Sequence, residues 1–425
     1  MTVAFKTFGC RLNRAETAQF EAGFTAAGFT RVPFGTPARV VVFHSCAITQ
    51  SAESECLKLL RAQRKKDPHA CLVLVGCVVE AVTAETLREL EVDLVVPRER
   101  KDDLVPLVLR HLGIEMIPSP VLPAFSTQRA SLKIQDGCDF FCSYCIVPHT
   151  RGQPYSRPFQ ACMEEAQAFV EAGFREIVVT GCNIACYADG NRGLVDLLAA
   201  LAALPGLGRL RLGSVEPGTV ERDVIAFMAE TPRLCKFLHL PIQSGDPAVL
   251  TRMQRRYTVM EMERTLLEAL RRIPLIGLGA DVITGFPGET LEAFGRTRSF
   301  LEAFPFSNLH VFPYSERPGT PAATFADAVP ETERKRRAAE LIRLKEQKRI
   351  TFAQGFVGHP VDVLIEKIDK SGVAHGWTGE YLACEISGVP LSQKRQLVAC
   401  VPYASVQHGK LLARIEPSHG SVTPR

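Results

Sequence analysis

An α/β chain made of two parallel-sheet units followed by a small β-barrel is the fold class that the sequence predicts. Three observations predict it. The first third alternates short apolar runs with amphipathic stretches, the pattern of a parallel sheet covered by helices. Residues 131–330 repeat a strand-then-helix unit six times, which suits a partial barrel with its reactive residues on the loops after the strands. Beyond Gly355 the pattern changes to short alternating strands between glycine-rich turns, as in a small closed barrel.

Composition narrows the class further. The 425 residues are 46% apolar and 23% charged, so the chain can bury two or three cores and is not disordered. A net charge of +4 permits a nucleic-acid partner without demanding one. Residues 1–6 lack the charged start and apolar run of a secretory leader, and no apolar stretch reaches membrane-spanning length. Fourteen cysteines in such a chain imply a reducing compartment where thiols are kept as ligands, so the expected location is cytoplasmic, with no membrane partner.

In the first unit, 1–112, strands are expected at 3–8, 40–43, 72–75 and 92–96, with helices at 15–27, 55–64 and 83–90. Cys10, Cys46 and Cys77 each follow one of the first three strands by one to three residues. In a parallel sheet those strand ends share the ligand-binding edge, so three thiols distant in sequence converge there. Cys71 opens its strand and belongs at the opposite edge; Cys56 falls in a helix, and both read as structural. Arg98, Arg100 and Lys101 read as a solvated loop that could contact RNA. Residues 113–130, with Pro118, Pro120 and Pro123, read as a linker.

The second unit places strands at 131–135, 176–180, 209–214, 236–240, 277–283 and 308–312, and helices at 163–172, 194–204, 220–229, 259–271 and 292–303. Directly after its first strand come Cys138, Cys142 and Cys145 at C-x3-C-x2-C spacing. One tight loop can present these three sulfurs to a single centre while leaving a coordination position open. An iron–sulfur cluster normally takes four cysteines, so a three-thiolate cluster keeps one iron free to bind a reactant. A zinc site would need a fourth ligand, and His149 is the only local candidate. Tyr144 sets an aromatic face beside whatever that iron holds. Polar residues recur at the expected barrel mouth: Thr180, Gly181 and Asn183, then Ser214 and Glu216, then Gln243 and Ser244, then Asp281 and Thr284. Cys182 and Cys186 share the loop after the second strand and read as incidental thiols rather than a third metal site, while Cys162 and Cys235 read as core. Arg252, Arg255 and Arg256 suit either a phosphate contact or a salt-bridged helix start.

Helix 331–350, rich in Arg and Lys with acids interleaved, reads as solvated with one thin apolar stripe. The last segment shows strands at 361–365, 397–401 and 411–415. Trp377 and Tyr381 would there either stack on bases or fill the core. Cys384 and Cys400 carry no motif.

Several words in the chain share one resemblance. Asp136 to Cys145, preceded by Lys133-Ile134-Gln135 and followed by Ile146-Val147-Pro148-His149-Thr150-Arg151-Gly152, is similar to the cluster loop of the radical S-adenosylmethionine methylthiotransferases. Thr7-Phe8-Gly9-Cys10-Arg11-Leu12-Asn13, Ser45-Cys46-Ala47-Ile48-Thr49 and Val75-Gly76-Cys77 resemble that family's N-terminal domain. His239-Leu240-Pro241-Ile242-Gln243-Ser244-Gly245, Arg255-Arg256-Tyr257-Thr258 and the run Asp281 to Thr290 resemble its barrel. His310 to Ala323 resembles the branch acting on threonylcarbamoyl-adenosine in tRNA. The similarity covers nearly the whole chain. It departs at His44-Ser45-Cys46, where the family has Asn-Thr-Cys, and at Cys182, where it has an apolar residue.

The resemblance implies an auxiliary 4Fe-4S cluster on Cys10, Cys46 and Cys77 in 1–112, and a radical-generating 4Fe-4S cluster on Cys138, Cys142 and Cys145 in a radical S-adenosylmethionine barrel, 131–330. Tyr144, Gly181, Glu216, Gln243 and Asp281 would hold S-adenosylmethionine. A connecting helix, 331–355, would lead to a TRAM-like RNA-binding domain, 356–425. The implied partners are a tRNA anticodon loop and a low-potential electron donor. The implied reaction is 2-methylthiolation of N6-threonylcarbamoyladenosine beside the anticodon. An aromatic C–H is too inert for acid–base attack, so the cofactor supplies a 5′-deoxyadenosyl radical, and sulfur arrives from the auxiliary cluster. Competing substrates within the family are N6-isopentenyladenosine in tRNA and an aspartate of a ribosomal protein. A non-catalytic iron–sulfur RNA-binding protein is the reading from another class; it leaves the open ligand position and the polar mouth unexplained.

Overall fold

The computed structural model describes residues 1–115, 122–123, 125, 127–219 and 221–415. Pro118 and Pro120 of the expected linker, Val220 at an expected helix start, and 416–425 of the last segment lie outside the described residues.

The N-terminal sheet is wholly parallel, in the order β2 (Thr30–Val32), β1 (Thr2–Thr7), β3 (Val40–Ser45), β4 (Cys71–Gly76), β5 (Leu94–Val96). β3 and almost all of β4 are buried because helices cover both faces, which is why they read as near-continuous apolar runs. Alternate residues feed two cores: Val40, Val42 and Val73 pack with Phe24 and Leu104 on one face, while Val41, Phe43 and Leu72 pack with Leu60 on the other. β2 escaped the sequence pattern because Thr-Arg-Val, mostly exposed at the sheet edge, carries no apolar run.

Six parallel strands follow in chain order: β6 (Arg129–Lys133), β7 (Glu176–Thr180), β8 (Arg209–Leu212), β9 (Phe237–Gln243), β10 (Gly277–Thr284) and β11 (Phe306–Pro313). β8 and β9 join only through the bridges Leu210–Leu234 and Ser214–His239, and the described residues show no pairing of β6 with β11, so the barrel is partial. Leu238, Leu240, Leu278, Ala280 and Val282 pack in the core under the surrounding helices. The alternate positions, His239, Gln243 and Asp281 among them, therefore face the lumen.

The C-terminal strands β12 (Val361–Ile368), β13 (Ala374–Thr378), β14 (Ala383–Ser387), β15 (Leu397–Val406) and β16 (Lys410–Ile415) close a barrel in the order 12-13-14-16-15. β13 and β14 were not expected, because their inward positions, though alternating, are mostly small or polar residues such as Ala374, Gly376, Thr378 and Cys384. The helix Glu331–Gln354 is more than a solvated connector. Arg337 is buried and donates to the Glu289 carboxylate at 2.5 Å, and Arg334 bonds the carbonyls of Val329 and Tyr314. It thereby pins the segments after β10 and β11. Among the described residues no helix is long and apolar enough to cross a membrane.

The C-terminal barrel plugs the bottom of the central one. The Glu176 carboxylate at the start of β7 accepts from Arg209 at 2.5 Å and Arg211 at 2.7 Å. Both arginines continue to backbone carbonyls of the C-terminal barrel, Asp362, Trp377, Thr378 and Gly379, at 2.8–3.0 Å. Tyr381 enters between Trp377 and Phe237, stacked on each at 5.1 Å, with the Arg129 and Arg211 guanidinium groups over its ring and Arg11 donating to its hydroxyl. The Trp377 indole donates to Glu366 at 3.1 Å. Trp377 and Tyr381 are thus seam residues and not free platforms for bases. Burial pushes the Glu176 carboxyl up, but Arg211 and Arg209 outweigh it and hold the group at about 2. Its contribution is complete above the ordinary glutamate range and is lost as pH falls from there toward 2. Glu176→Gln is expected to lower unfolding stability by about 3–5 kcal/mol at neutral pH and to flatten the acid limb of a thermal-melt pH series; an unchanged limb would rule the pair out as its source.

Candidate active site between two cysteine triads

The sheet order 2-1-3-4-5 has its switch point between β1 and β3, where parallel sheets of this kind open a crevice at the strand ends. Cys10 follows β1, Cys46 follows β3, and Cys77 follows β4. The three thiols share one neighbourhood, close enough for the Cys77 charge to act on both Cys10 and Cys46. Gly9, at φ +82°, sits so tightly against Cys46 that a Cβ would lie 2.4 Å from its sulfur. Burial pushes the Cys46 thiol up to about 11, and the neighbouring Cys77 and Cys10 charges add to it.

The second triad is shaped by the loop between β6 and the helix Val147–Arg151. Gly137, at φ +71°, is irreplaceable on steric grounds, since a Cβ would lie 2.0 Å from the Gln153 carbonyl. Phe141 adopts φ +48°, an uncommon conformation for a bulky residue, so the turn between Cys138 and Cys142 is strained. Burial pushes the Cys145 thiol up to about 12, with Cys142 and Cys138 adding to it. Thiols this buried are poor free nucleophiles and become thiolates when a metal displaces their protons. Two glycine-cradled groups of three converging thiols, each without a fourth cysteine ligand from its own loop, fit two open-sited clusters.

The other mouth residues fall around the second triad. Arg255 donates to Cys142 Sγ at 3.0 Å, to the Tyr144 hydroxyl at 3.2 Å, and to the Glu216 carboxylate. The sequence left it, with Arg252 and Arg256, between a phosphate contact and a salt-bridged helix start; its ion pair fits the second, and its contact with Cys142 was not anticipated. Arg252 instead pairs with Asp327, and Arg256 covers the Phe140 ring at 3.9 Å. Burial raises the Glu216 carboxyl to about 7 although Arg255 opposes it. Gln243 ends β9 at φ +59°, beyond a register shift that turns the chain at the mouth. Gly181 lies against the Gln135 carbonyl, 2.8 Å from where its Cβ would be. Asp281 sits deeper, with Oδ1 3.0 Å from His239 Nε2 and 3.1 Å from His310 Nδ1. Burial pushes its carboxyl up, but the two imidazoles hold it well below the usual range. Tyr144 keeps its ring edge-on to Phe286, its hydroxyl directed at Arg255.

Between the triads lies a buried charge network that no local motif announced. Glu16, from the helix Arg11–Ala26, meets Lys101 at 2.5 Å, Lys133 at 2.7 Å and Arg151 at 3.1 Å. Asp136 meets the same three cations at 3.0, 2.7 and 2.9 Å. Lys101 is therefore an internal group rather than part of a solvated RNA-facing loop. Asn13 ties the network to the first triad: its Oδ1 takes Arg151 at 2.5 Å and the Cys10 thiol at 3.6 Å, and its amide donates to the Ser45 carbonyl. His44, the departure before Cys46, is fully buried with Nε2 3.4 Å from Glu16. Cys182 donates to Asp136 at 3.4 Å, and Cys186 lies near Cys138, so both extra thiols border the site.

Comparison with known proteins agrees with this layout. The description "Uncharacterized protein family UPF0004" matches residues 2–97 and "Radical SAM superfamily" matches 132–301. The chain is 32% identical over 408 residues to the threonylcarbamoyladenosine tRNA methylthiotransferase MtaB of Bacillus subtilis (strain 168), covering 91% of this chain and 90% of that one. It is 32% identical over 400 residues to the Thermotoga maritima protein of the same name, covering 91% and 92%. Among solved structures, the radical S-adenosylmethionine methyltransferase TsrM from Kitasatospora setae aligns with a TM-score of 0.58 at 13% identity over 76% of this chain and 75% of that one, a likeness of fold.

Proposed function

Belonging to the threonylcarbamoyladenosine tRNA methylthiotransferases, this chain is a radical S-adenosylmethionine enzyme with two 4Fe-4S clusters, and we propose that Cys138, Cys142 and Cys145 hold the radical-generating cluster and Cys10, Cys46 and Cys77 the auxiliary one. Its reaction is 2-methylthiolation of N6-threonylcarbamoyladenosine in tRNA. The observation that carries this reading is similarity over 91% of the chain to an enzyme of that name combined with two thiol triads joined by one charge network.

Cys138, Cys142 and Cys145 would hold a cluster that supplies one electron for reductive cleavage of S-adenosylmethionine, with methionine as leaving group, and Cys10, Cys46 and Cys77 one that supplies sulfur for the product. The chain's own residues orient and shield. Glu216 and Arg255 form a pair beside Cys142, where a carboxyl held near 7 can accept from an ammonium or a ribose hydroxyl. Tyr144, Gly181 and Gln243 complete the rim of that S-adenosylmethionine site. Asp281, held between two imidazoles, fixes the lumen wall on which the adenosine moiety or the target base rests. An unpaired anticodon-loop base can leave its stack cheaply to reach this chamber.

In this reading residues 1–112 carry the auxiliary cluster, 131–330 the radical chemistry, and 356–425 the TRAM-like RNA contact, joined by the linker at 113–130 and the helix region 331–355. A low-potential electron donor would serve it in the cytoplasm. Expressing the chain in a bacterium deleted for its own enzyme of this kind is expected to restore the methylthiolated threonylcarbamoyl nucleoside, read by mass spectrometry of digested tRNA. Restoration of the isopentenyl product alone would reassign the substrate.

A further inference from the structure

We propose that the outer face of the helix Gln50–Lys66 is a track for the phosphate backbone of the tRNA, running outward from the edge of the reaction chamber. The inference rests on the methylthiotransferase reading, which supplies the polyanion but gives it no seat on residues 1–112. Helical spacing is the first observation. Ser51, Ser54, Lys58, Arg61 and Lys65 recur at intervals of three and four residues, so they share one face, and all five are exposed. From first to last the row spans about 21 Å at 1.5 Å per residue. Hydroxyls come first and cations follow, the two kinds of side-chain donor that proteins set against phosphate oxygens. A row of this length suits a polymer rather than a single phosphate.

The pairing of charges is the second. The remaining charged groups of the helix are engaged: Glu53 with Arg317, Glu55 with Lys6 at 4.0 Å, Arg64 with Asp93 at 2.5 Å, and Lys66 with the Gly35 carbonyl at 2.6 Å. The side chains of Lys58, Arg61 and Lys65 have no ion-pair or hydrogen-bond partner among the described residues, nor do those of Ser51 and Ser54. The acids are neutralised by other elements while the cations are left to solvent, so this face is positive in a chain whose net charge is only +4. On other helices exposed cations hold acids: Arg271 and Arg272 share Glu268, and Arg336 takes Glu333. The helix dipole accounts for Lys65 in the last turn but not for Lys58 or Arg61.

Placement is the third. Thr49 caps the helix three residues after Cys46, and the Gln50 amide donates to the Ser315 hydroxyl at 3.0 Å, so the row begins where the first unit meets the segment that follows β11. A loop base delivered to the chamber leaves its flanking phosphates outside it, within reach of this helix start, and the backbone leading away from the base follows the row.

The test is the salt dependence of binding between reconstituted full-length protein and tRNA carrying threonylcarbamoyladenosine. Combining Lys58→Gln, Arg61→Gln and Lys65→Gln is expected to lower the slope of log Kd against log salt by about three, one for each cation removed, and to raise Kd at about 0.1 M salt at least tenfold. The charge-keeping combination Lys58→Arg, Arg61→Lys and Lys65→Arg is expected to retain the wild-type slope. Ser51→Ala with Ser54→Ala should weaken binding about fivefold at an unchanged slope, because a hydroxyl releases no counterion. An unchanged slope in the glutamine variant overturns the proposal: with affinity held, the row is an ordinary solvated face, and with affinity reduced, the loss comes from a disturbed fold. The binding series needs no turnover, so a wild type that failed to methylthiolate this tRNA would fail the functional reading while the slopes still decided the role of the helix face.

Discussion

Cys138→Ala is expected to remove one of two clusters, taking about half of the iron from reconstituted protein and leaving the other half bound. The independence of the two sites is structural. One triad hangs on three separate strand ends of a five-stranded sheet, and the other on a single loop shaped by Gly137 and Phe141. They share no residue, and a triad reduced to two thiols cannot hold a cluster that already lacks a fourth cysteine. Cys10→Ala should therefore lose the complementary half. The two variants should also part in chemistry: cleavage of S-adenosylmethionine to 5′-deoxyadenosine is expected to vanish in the Cys138 variant and to persist in the Cys10 variant. Iron content and deoxyadenosine yield, measured together, check both statements. Loss of all iron in either variant would mean the clusters depend on one another and the assignment of separate triads is wrong.

Glu16→Gln is expected to produce the second large effect, at the junction rather than at either triad. Burial opposes the Glu16 charge, yet Arg151, His44, Lys133 and Lys101 hold its carboxyl well below the usual range. Removing that charge leaves Lys101, Lys133 and Arg151 buried with Asp136 alone. Breaking a buried ion pair in this way costs about 3–5 kcal/mol, visible as a lower denaturation midpoint. Because the folded carboxyl is depressed, its contribution is present above the ordinary glutamate range and disappears as pH falls below it, so the variant and wild type should converge in acid. Function should suffer in a distinctive manner. Arg151 would keep Asn13 but lose its charged acceptor on the N-terminal helix, so the Cys10, Cys46 and Cys77 triad is expected to lose register with the second triad. Deoxyadenosine formation should then continue while methylthiolated product falls by at least about tenfold, since small misplacements cost roughly a hundredfold in oriented reactions. Equal loss of both products would indicate general unfolding instead.

The contrast between these two residues shows what a sequence can and cannot reveal. Cysteines at strand ends and in a short loop are legible because strand periodicity and local spacing place them directly. The six barrel strands were legible for the same reason. Glu16 was not, because a single acid within a helix announces no partner, and its lysine and arginine partners lie 85 to 135 residues away. Arg255 was seen as one of three arginines, and only the folded chain separates it from Arg252 and Arg256 by giving each a different partner. β2 was invisible because its residues are mostly exposed, and two strands of the C-terminal barrel because small or polar residues such as Gly376, Thr378 and Cys384 fill their inward positions; pairing with neighbours makes them strands. Trp377 and Tyr381 were ambiguous because an aromatic ring serves a seam as well as it serves a base.

That seam bears on how such an enzyme can be shortened. Tyr381, held by arginines from both other parts of the chain, is a stopper in the floor of the reaction chamber. A truncated chain ending after the long helix would lack it and would let solvent and dissolved thiols in from below, where a carbon-centred radical would take a hydrogen atom from a thiol. Such a deletion would look like lost tRNA binding in a growth assay, yet its signature would be wasted S-adenosylmethionine: turnover of the cofactor without modification of the base.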